Sequence, residues 1–223
     1  MQISQGIHQI PGIVANVFLI VEPDGLTLID CGLPRSTAKI LGYVQSLGRQ
    51  AREIKRILIT HADNDHYGSL AELQAATGAQ VYASAVEAQA IAHGEMSRPL
   101  KLSAALRAVF ALSRPFLRAK PCRVQHTVKN DQCLNHLGML KVIETPGHTP
   151  GHISFYAPSQ GILFAGDSLR SAEGRLLVSS GVNTWDEAIA RDSARKQAAL
   201  HPRIVCVGHG AAVYNAAEKF PEV

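Results

Sequence analysis

Apolar residues recur along this chain at two spacings, and the alternation of those spacings predicts a layered α/β architecture. Residues 13–21 and 26–30 are β-rich runs separated by Glu22-Pro23-Asp24-Gly25, a turn signal that predicts a hairpin. In 34–47, Ile40, Leu41, Val44 and Leu47 fall at helical spacing, and Gly48 follows as a stop. Residues 54–60 form a compact apolar run, as expected of a strand buried on both faces. Beyond it the pattern predicts helices over 69–77 and 85–93, with a short strand over 80–83 between them. Strands are expected over 124–127 and 139–145, and a hairpin of 153–157 with 161–165 turns at Pro158-Ser159. A helix over 185–200, a strand over 203–207 and a last short helix over 211–219 complete the pattern.

One segment breaks the rhythm. Within 94–121, Leu102, Leu106, Val109, Phe110, Phe116 and Leu117 share a helical stripe, and Pro115 should kink or end it. Over 98–120, Arg98, Lys101, Arg107, Arg114, Arg118 and Lys120 occur without a single acid, which accounts for the whole of the formal +4 charge and leaves the remainder slightly acidic. The segment reads as a helical insertion with solvated arginines. A lid over an anionic or amphiphilic substrate and a membrane-surface contact are the sharper alternatives.

Length and composition suit one folded domain: 223 residues, 46% hydrophobic and 18% charged. No run is long enough to span a membrane, and the N-terminal apolar run has no basic leader, so it reads as a strand. Cys31, Cys122, Cys133 and Cys206 are scattered without metal-clip spacing, which predicts free thiols and a cytoplasmic location.

The chemistry concentrates after strand ends. Thr60-His61-Ala62-Asp63-Asn64-Asp65-His66-Tyr67-Gly68 places two imidazoles and two carboxylates within six residues, a set suited to zinc, iron or manganese. Thr145-Pro146-Gly147-His148 follows the strand over 139–145. Ala165-Gly166-Asp167 and Val207-Gly208-His209-Gly210 repeat the arrangement of apolar strand, glycine and ligand-type residue. No Gly-x-Ser-x-Gly elbow or catalytic cysteine setting accompanies them.

With these motifs in order, from Leu28-Ile29-Asp30-Cys31-Gly32 to the terminal Gly-His-Gly, the sequence resembles the metallo-β-lactamase-fold superfamily over nearly its whole length. The resemblance implies a four-layer αββα sandwich in one domain spanning 1–223, with the helical insertion at about 94–121. It implies that His61 and His148 bind a first divalent metal and that Asp65, His66 and His209 bind a second. Asp167 then bridges the two, and Asp65 doubles as the catalytic group that orients the nucleophile. Asp63 stands where the family has its second histidine. Its carboxylate is expected to remain a ligand, because two divalent ions then balance three carboxylates and one bridging hydroxide. Zinc is the first choice of metal, and the harder oxygen ligand brings iron and manganese into consideration.

The activity implied is hydrolysis of an ester, lactone, thioester or related carbonyl bond in a small molecule by a metal-bridging hydroxide. A phosphodiesterase and a mono-iron oxidoreductase of the persulfide dioxygenase kind are the alternatives; no feature points to nucleic acid as partner. Tyr67 and His93 are substrate-contact candidates, while His152 is expected to orient its loop rather than bind metal.

Overall fold

Along β3 (Val17–Glu22), Val17 and Leu19 face one core while Phe18 and Ile20 face another, as the two-residue period of a strand requires. The computed structural model describes residues 1–99, 118–134 and 139–222. It repeats this division in a seven-stranded sheet ordered β1 (Gln2–Ser4), β2 (Ile7–Ile10), β3, β4 (Gly25–Ile29), β5 (Ile54–Leu58), β6 (Gln80–Ser84) and β7 (His126–Val128). The first four strands pair antiparallel and the last three join in parallel. The second sheet holds β8 (Cys133–Leu134), β9 (Leu140–Glu144), β10 (Ile153–Ala157) and β11 (Ile162–Gly166). Strand β14 (Ile204–Val207) pairs parallel to β11, and β15 (Val213–Tyr214) closes the edge. Between them in sequence, β12 (Leu169–Ala172) and β13 (Arg175–Val178) form a separate ribbon.

Phe18, Ile29, Leu58, Val142, Phe155, Phe164 and Cys206 fill the space between the sheets. On the outer face of the first sheet, Ile40 and Val44 of α1 (Thr37–Ser46) pack on its strands. Leu70 and Leu73 of α3 (Leu70–Thr77) and Ile91 of α4 (Ala85–His93) complete that layer. Ala194 of α5 (Glu187–Ala198) covers Leu163, Ala165, Val205 and Val207 on the far side. The result is the expected four-layer αββα sandwich. Helix ends carry local stops and caps: Gly78 and Gly94 adopt left-handed conformations, and Asp186 caps α5 by accepting from the Ala188 and Ile189 N–H groups.

Several elements depart from the pattern-based expectations. Residues 13–16 are a turn before β3, pinned because the Asn16 amide donates to the Val207 and Gly210 carbonyls. The helix expected over 34–47 begins at Thr37, after Arg35 takes a positive φ of 74°. The helix expected over 211–219 is not formed. Val213 and Tyr214 pair with β14, and Asn215 turns left-handed at φ 51° before a single 3-10 turn, Ala216–Glu218. Strands β1 and β2, the four-residue α2 (Asn64–Tyr67) and the β12–β13 ribbon were not expected from periodicity. The amphipathic stripe from Leu102 to Leu117 lies outside the described residues. No helix among the described residues is long and apolar enough to cross a membrane.

Candidate metal centre

The parallel pairs decide where the site forms. Because β4 and β5 run parallel, as do β11 and β14, their C-terminal ends open on common edges. The loops leaving β5, β9, β11 and β14 carry His61 to His66, His148, Asp167 and His209 respectively. Two glycines permit the convergence. A Cβ on Gly208 would collide with Asp167 Oδ1, and one on Gly166, at φ 52°, would come within 2.7 Å of His152 Nε2.

Three overlapping groups have ligand atoms within 4.8 Å of one another: His61–Asp63–His148, Asp65–His66–His209 and His61–His66–Asp167. Asp63 faces this cluster rather than solvent. Its Oδ2 lies 3.1 Å from His148 Nε2 and 3.7 Å from His61 Nε2. Asp167 sits centrally, 3.3 Å from His66 Nε2, 3.4 Å from His209 Nε2 and 3.6 Å from His148 Nε2. His209 Nε2 is also 3.2 Å from Asp65 Oδ2. All seven residues named as ligands from the sequence therefore meet in one place.

The imidazoles are held from behind. Asp30, just past β4, accepts from the Thr60 N–H at 2.9 Å, the Thr60 hydroxyl at 2.8 Å and His66 Nδ1 at 2.8 Å. Since the Thr60 hydroxyl gives its proton to Asp30, its oxygen accepts from His61 Nδ1 at 2.9 Å, and the His61 Nε2 lone pair points into the centre. His148 Nδ1 meets Ser179 Oγ at 2.9 Å. His152 Nε2 accepts the Asp167 N–H at 3.1 Å, so its Nδ1 donates to Thr145 Oγ1 at 2.8 Å. His152 thus holds the Asp167 backbone, and it belongs to none of the three ligand-type groups.

Glu87 of α4 is fully buried and was not singled out by sequence reasoning. It accepts from the N–H groups of Ala62 and Gly151 and from the hydroxyls of Thr149 and Ser97, at 2.7 to 3.0 Å. Asp30 carried a weak signal, an acid ending an apolar strand. Glu87 carried none, because its partners are distant in sequence.

Burial pushes the His61 pKa well down, reinforced by His66 and His148. Burial opposes charge on His66 as well, yet the carboxylates of Asp167 and Asp30 outweigh it and hold that pKa well above the ordinary value. Hydrogen bonding to Asp167 and Asp65 raises His209 to about 9. Burial works against the Asp167 carboxylate, but His66 and His209 keep its pKa well below the usual range.

The donor set fits divalent ions. His61 Nε2, His66 Nε2, Asp63 Oδ1 and Asp167 Oδ1 are buried without a hydrogen-bond partner, which is costly unless a further group satisfies them. Asp63 and Asp167 line a cleft of about 440 Å³, with His61 and His66 packed against them, Val14, Leu33 and Met96 on its apolar walls and Arg170, Ser180 and Asn183 among its polar ones. Tyr67 does not reach this cleft. It is fully buried and its hydroxyl donates to the Glu95 carbonyl at 3.0 Å, so it packs. His93, the other substrate-contact candidate, is exposed and is not among the residues lining the cleft.

The sequence profile described as Metallo-beta-lactamase superfamily matches residues 10–209. A Bacillus subtilis protein named probable metallo-hydrolase YflN is 28% identical, the match covering 93% of this chain and 84% of that one. A hydroxyacylglutathione hydrolase from Cereibacter sphaeroides is 31% identical over 78% of this chain, and the match spans 55% of its length. Among solved structures, a Cronobacter sakazakii metallo-beta-lactamase with a HARLDQ motif superposes with a TM-score of 0.73 at 28% identity, covering 94% of this chain and 77% of that one. A family protein from Thermus thermophilus superposes at 0.75 with 22% identity, over 97% and 77% of the two chains, and so supports the fold alone. The order of ligands along the chain, the layers that bring them together and the profile match agree: this chain belongs to the metallo-beta-lactamase superfamily.

Proposed function

We propose that this metallo-hydrolase cleaves a carbonyl bond, in an ester, lactone or thioester, of a small molecule bound in the cleft above the histidine–aspartate cluster. The observation carrying this reading is the set of buried ligand-type atoms without partners, on Asp63 and Asp167 in the cleft lining and on His61 and His66 packed against them. His61, Asp63 and His148 would hold one divalent ion, Asp65, His66 and His209 a second, and Asp167 would bridge them. Bound ions of this kind supply Lewis acidity and an activated water near neutral pH. Asp65 takes the water's proton at its carboxylate, and His209 beside it steadies that carboxylate. Asp30, Thr60, Ser179 and His152 fix the rings so that each ligand nitrogen faces inward. The apolar walls exclude water around the acyl part, and Arg170 and Asn183 offer contacts to a polar or anionic group.

Thioesters gain support from the hydroxyacylglutathione hydrolases among the relatives. Zinc suits the nitrogen-rich donor set, and the three carboxylates keep iron and manganese as alternatives. The four free cysteines fit a reducing, cytoplasmic setting.

Elemental analysis of protein purified without added metal, followed by a panel of chromogenic esters, lactones, thioesters, β-lactams and bis-p-nitrophenyl phosphate, tests the reading. Expected is turnover of a carbonyl substrate that chelation removes and metal restores. Turnover of the phosphodiester alone would replace the proposal, and a single iron with no hydrolysis would sink it.

A further inference from the structure

One cation already stands in the cluster, on one side only. The Arg98 side chain is 1% exposed, and its Nη2 donates to Asp63 Oδ2 at 2.5 Å. The same Nη2 lies 3.3 Å from His148 Nε2. His148 Nε2, an atom a metal would use, thus lies between Asp63 Oδ2 at 3.1 Å and the guanidinium. Arg98 therefore engages two of the three donors in the His61–Asp63–His148 group. Among the described residues, no lysine or arginine touches Asp65, His66, His209 or Asp167.

Two further observations show that the guanidinium is committed to this place. Its Nε and Nη1 are buried without partners, and among the described residues Asp63 is the carboxylate paired with it. Its backbone is tethered to α4 through Ser97, whose hydroxyl donates to Glu87 at 3.0 Å. An arginine keeps its charge at every accessible pH, and deprotonation cannot remove it. Charge balance points the same way. The carboxylates of Asp63, Asp65 and Asp167 are neutralised by one divalent ion together with one guanidinium, whereas a second ion brings excess positive charge unless a hydroxide or an anionic substrate enters with it.

We propose that Arg98 is a built-in competitor for the metal of the His61–Asp63–His148 group. Its guanidinium holds Asp63 and His148 until an incoming ion displaces it, so the Asp65–His66–His209 group loads first and the Asp63 group loads second and more weakly. The proposal rests on the metal-hydrolase reading above, and its test separates the two.

Equilibrium dialysis of the full chain against buffered free Zn²⁺, with elemental analysis of the bound metal, reads occupancy without reference to activity. The wild type should fill in two steps separated by about 100-fold in free zinc, because a buried ion pair must be broken for the second. In Arg98→Met the second step should move to within about tenfold of the first, which stays where it was. Arg98→Gln should behave alike and serves if the methionine variant does not fold. Two equal steps in the wild type, or an unchanged gap in the variants, would overturn the competition while leaving the metal-hydrolase reading intact. A wild type that binds no zinc, iron or manganese would overturn that reading itself.

Discussion

The two sides of the metal centre use the same ligand types but are supported in opposite ways. Behind the Asp65–His66–His209 side stands a carboxylate: Asp30 accepts the hydrogen bond of His66 Nδ1. Behind the His61–Asp63–His148 side stand hydroxyls, those of Thr60 and Ser179, while a guanidinium presses on the front. A carboxylate behind an imidazole raises its basicity and its grip on a cation, and a hydroxyl does so less. The lesson is that ligand identity alone does not make two sites equivalent; the partners behind the ligands and the charges beside them set the order of filling.

The comparison breaks entirely if the shared residue is removed. Asp167 lies within 3.6 Å of histidines from both sides, and Asp167→Ala should lower kcat/KM on the order of a thousandfold and reduce the zinc bound per chain. Steady-state kinetics with elemental analysis of the same preparation checks this. Unchanged turnover would remove the bridged arrangement.

A finer cut separates the sides. Asp30→Asn should weaken the tighter zinc step by roughly 10- to 100-fold, through loss of the charged partner of His66. Ser179→Ala, which takes only a neutral contact from His148, should weaken the other step by roughly two- to tenfold. Zinc titration of the two variants measures both, and equal losses would erase the distinction.

The smallest effect is a divergence in pH dependence. In metal-free protein His209 titrates near 9 instead of its ordinary 6.5, because Asp167 and Asp65 hold its proton. The stability this contributes is fully present below pH 6.5 and is lost as pH rises through about 9. Zinc needs the same lone pair, so its affinity rises over that window. Melting temperatures of chelated protein should therefore fall by a few degrees across the window, while those of protein in limiting zinc hold or rise.

Much of the centre was legible in the sequence because its ligands follow strand ends with glycines beside them, a local pattern. His61, Asp65, His66, His148, Asp167 and His209 could be named with no knowledge of the third dimension. Asp63 stood out as a departure, although the arginine facing it did not. Arg98 reads as one of six basic residues in an amphipathic segment; only the folded chain turns it inward against an acid 35 positions away. Tyr67 misled for a related reason, since adjacency to a ligand on a short helix sends the next side chain to the opposite face. The terminal helix failed because Ala211–Lys219 composition favours helix locally, while pairing with β14 and the left-handed Asn215 decide otherwise.

Glu87 has a mechanical consequence. Its carboxylate ties the Ala62 backbone, which follows the first sheet, to Thr149 and Gly151, which belong to the second. Sliding one half of the sandwich past the other would break several short bonds on one buried acid at once, so the joint is stiff in shear. Entry and exit of molecules at the cleft must then be accommodated by the rim, by residues such as Met96 and Asn183, while the floor beneath them keeps its shape.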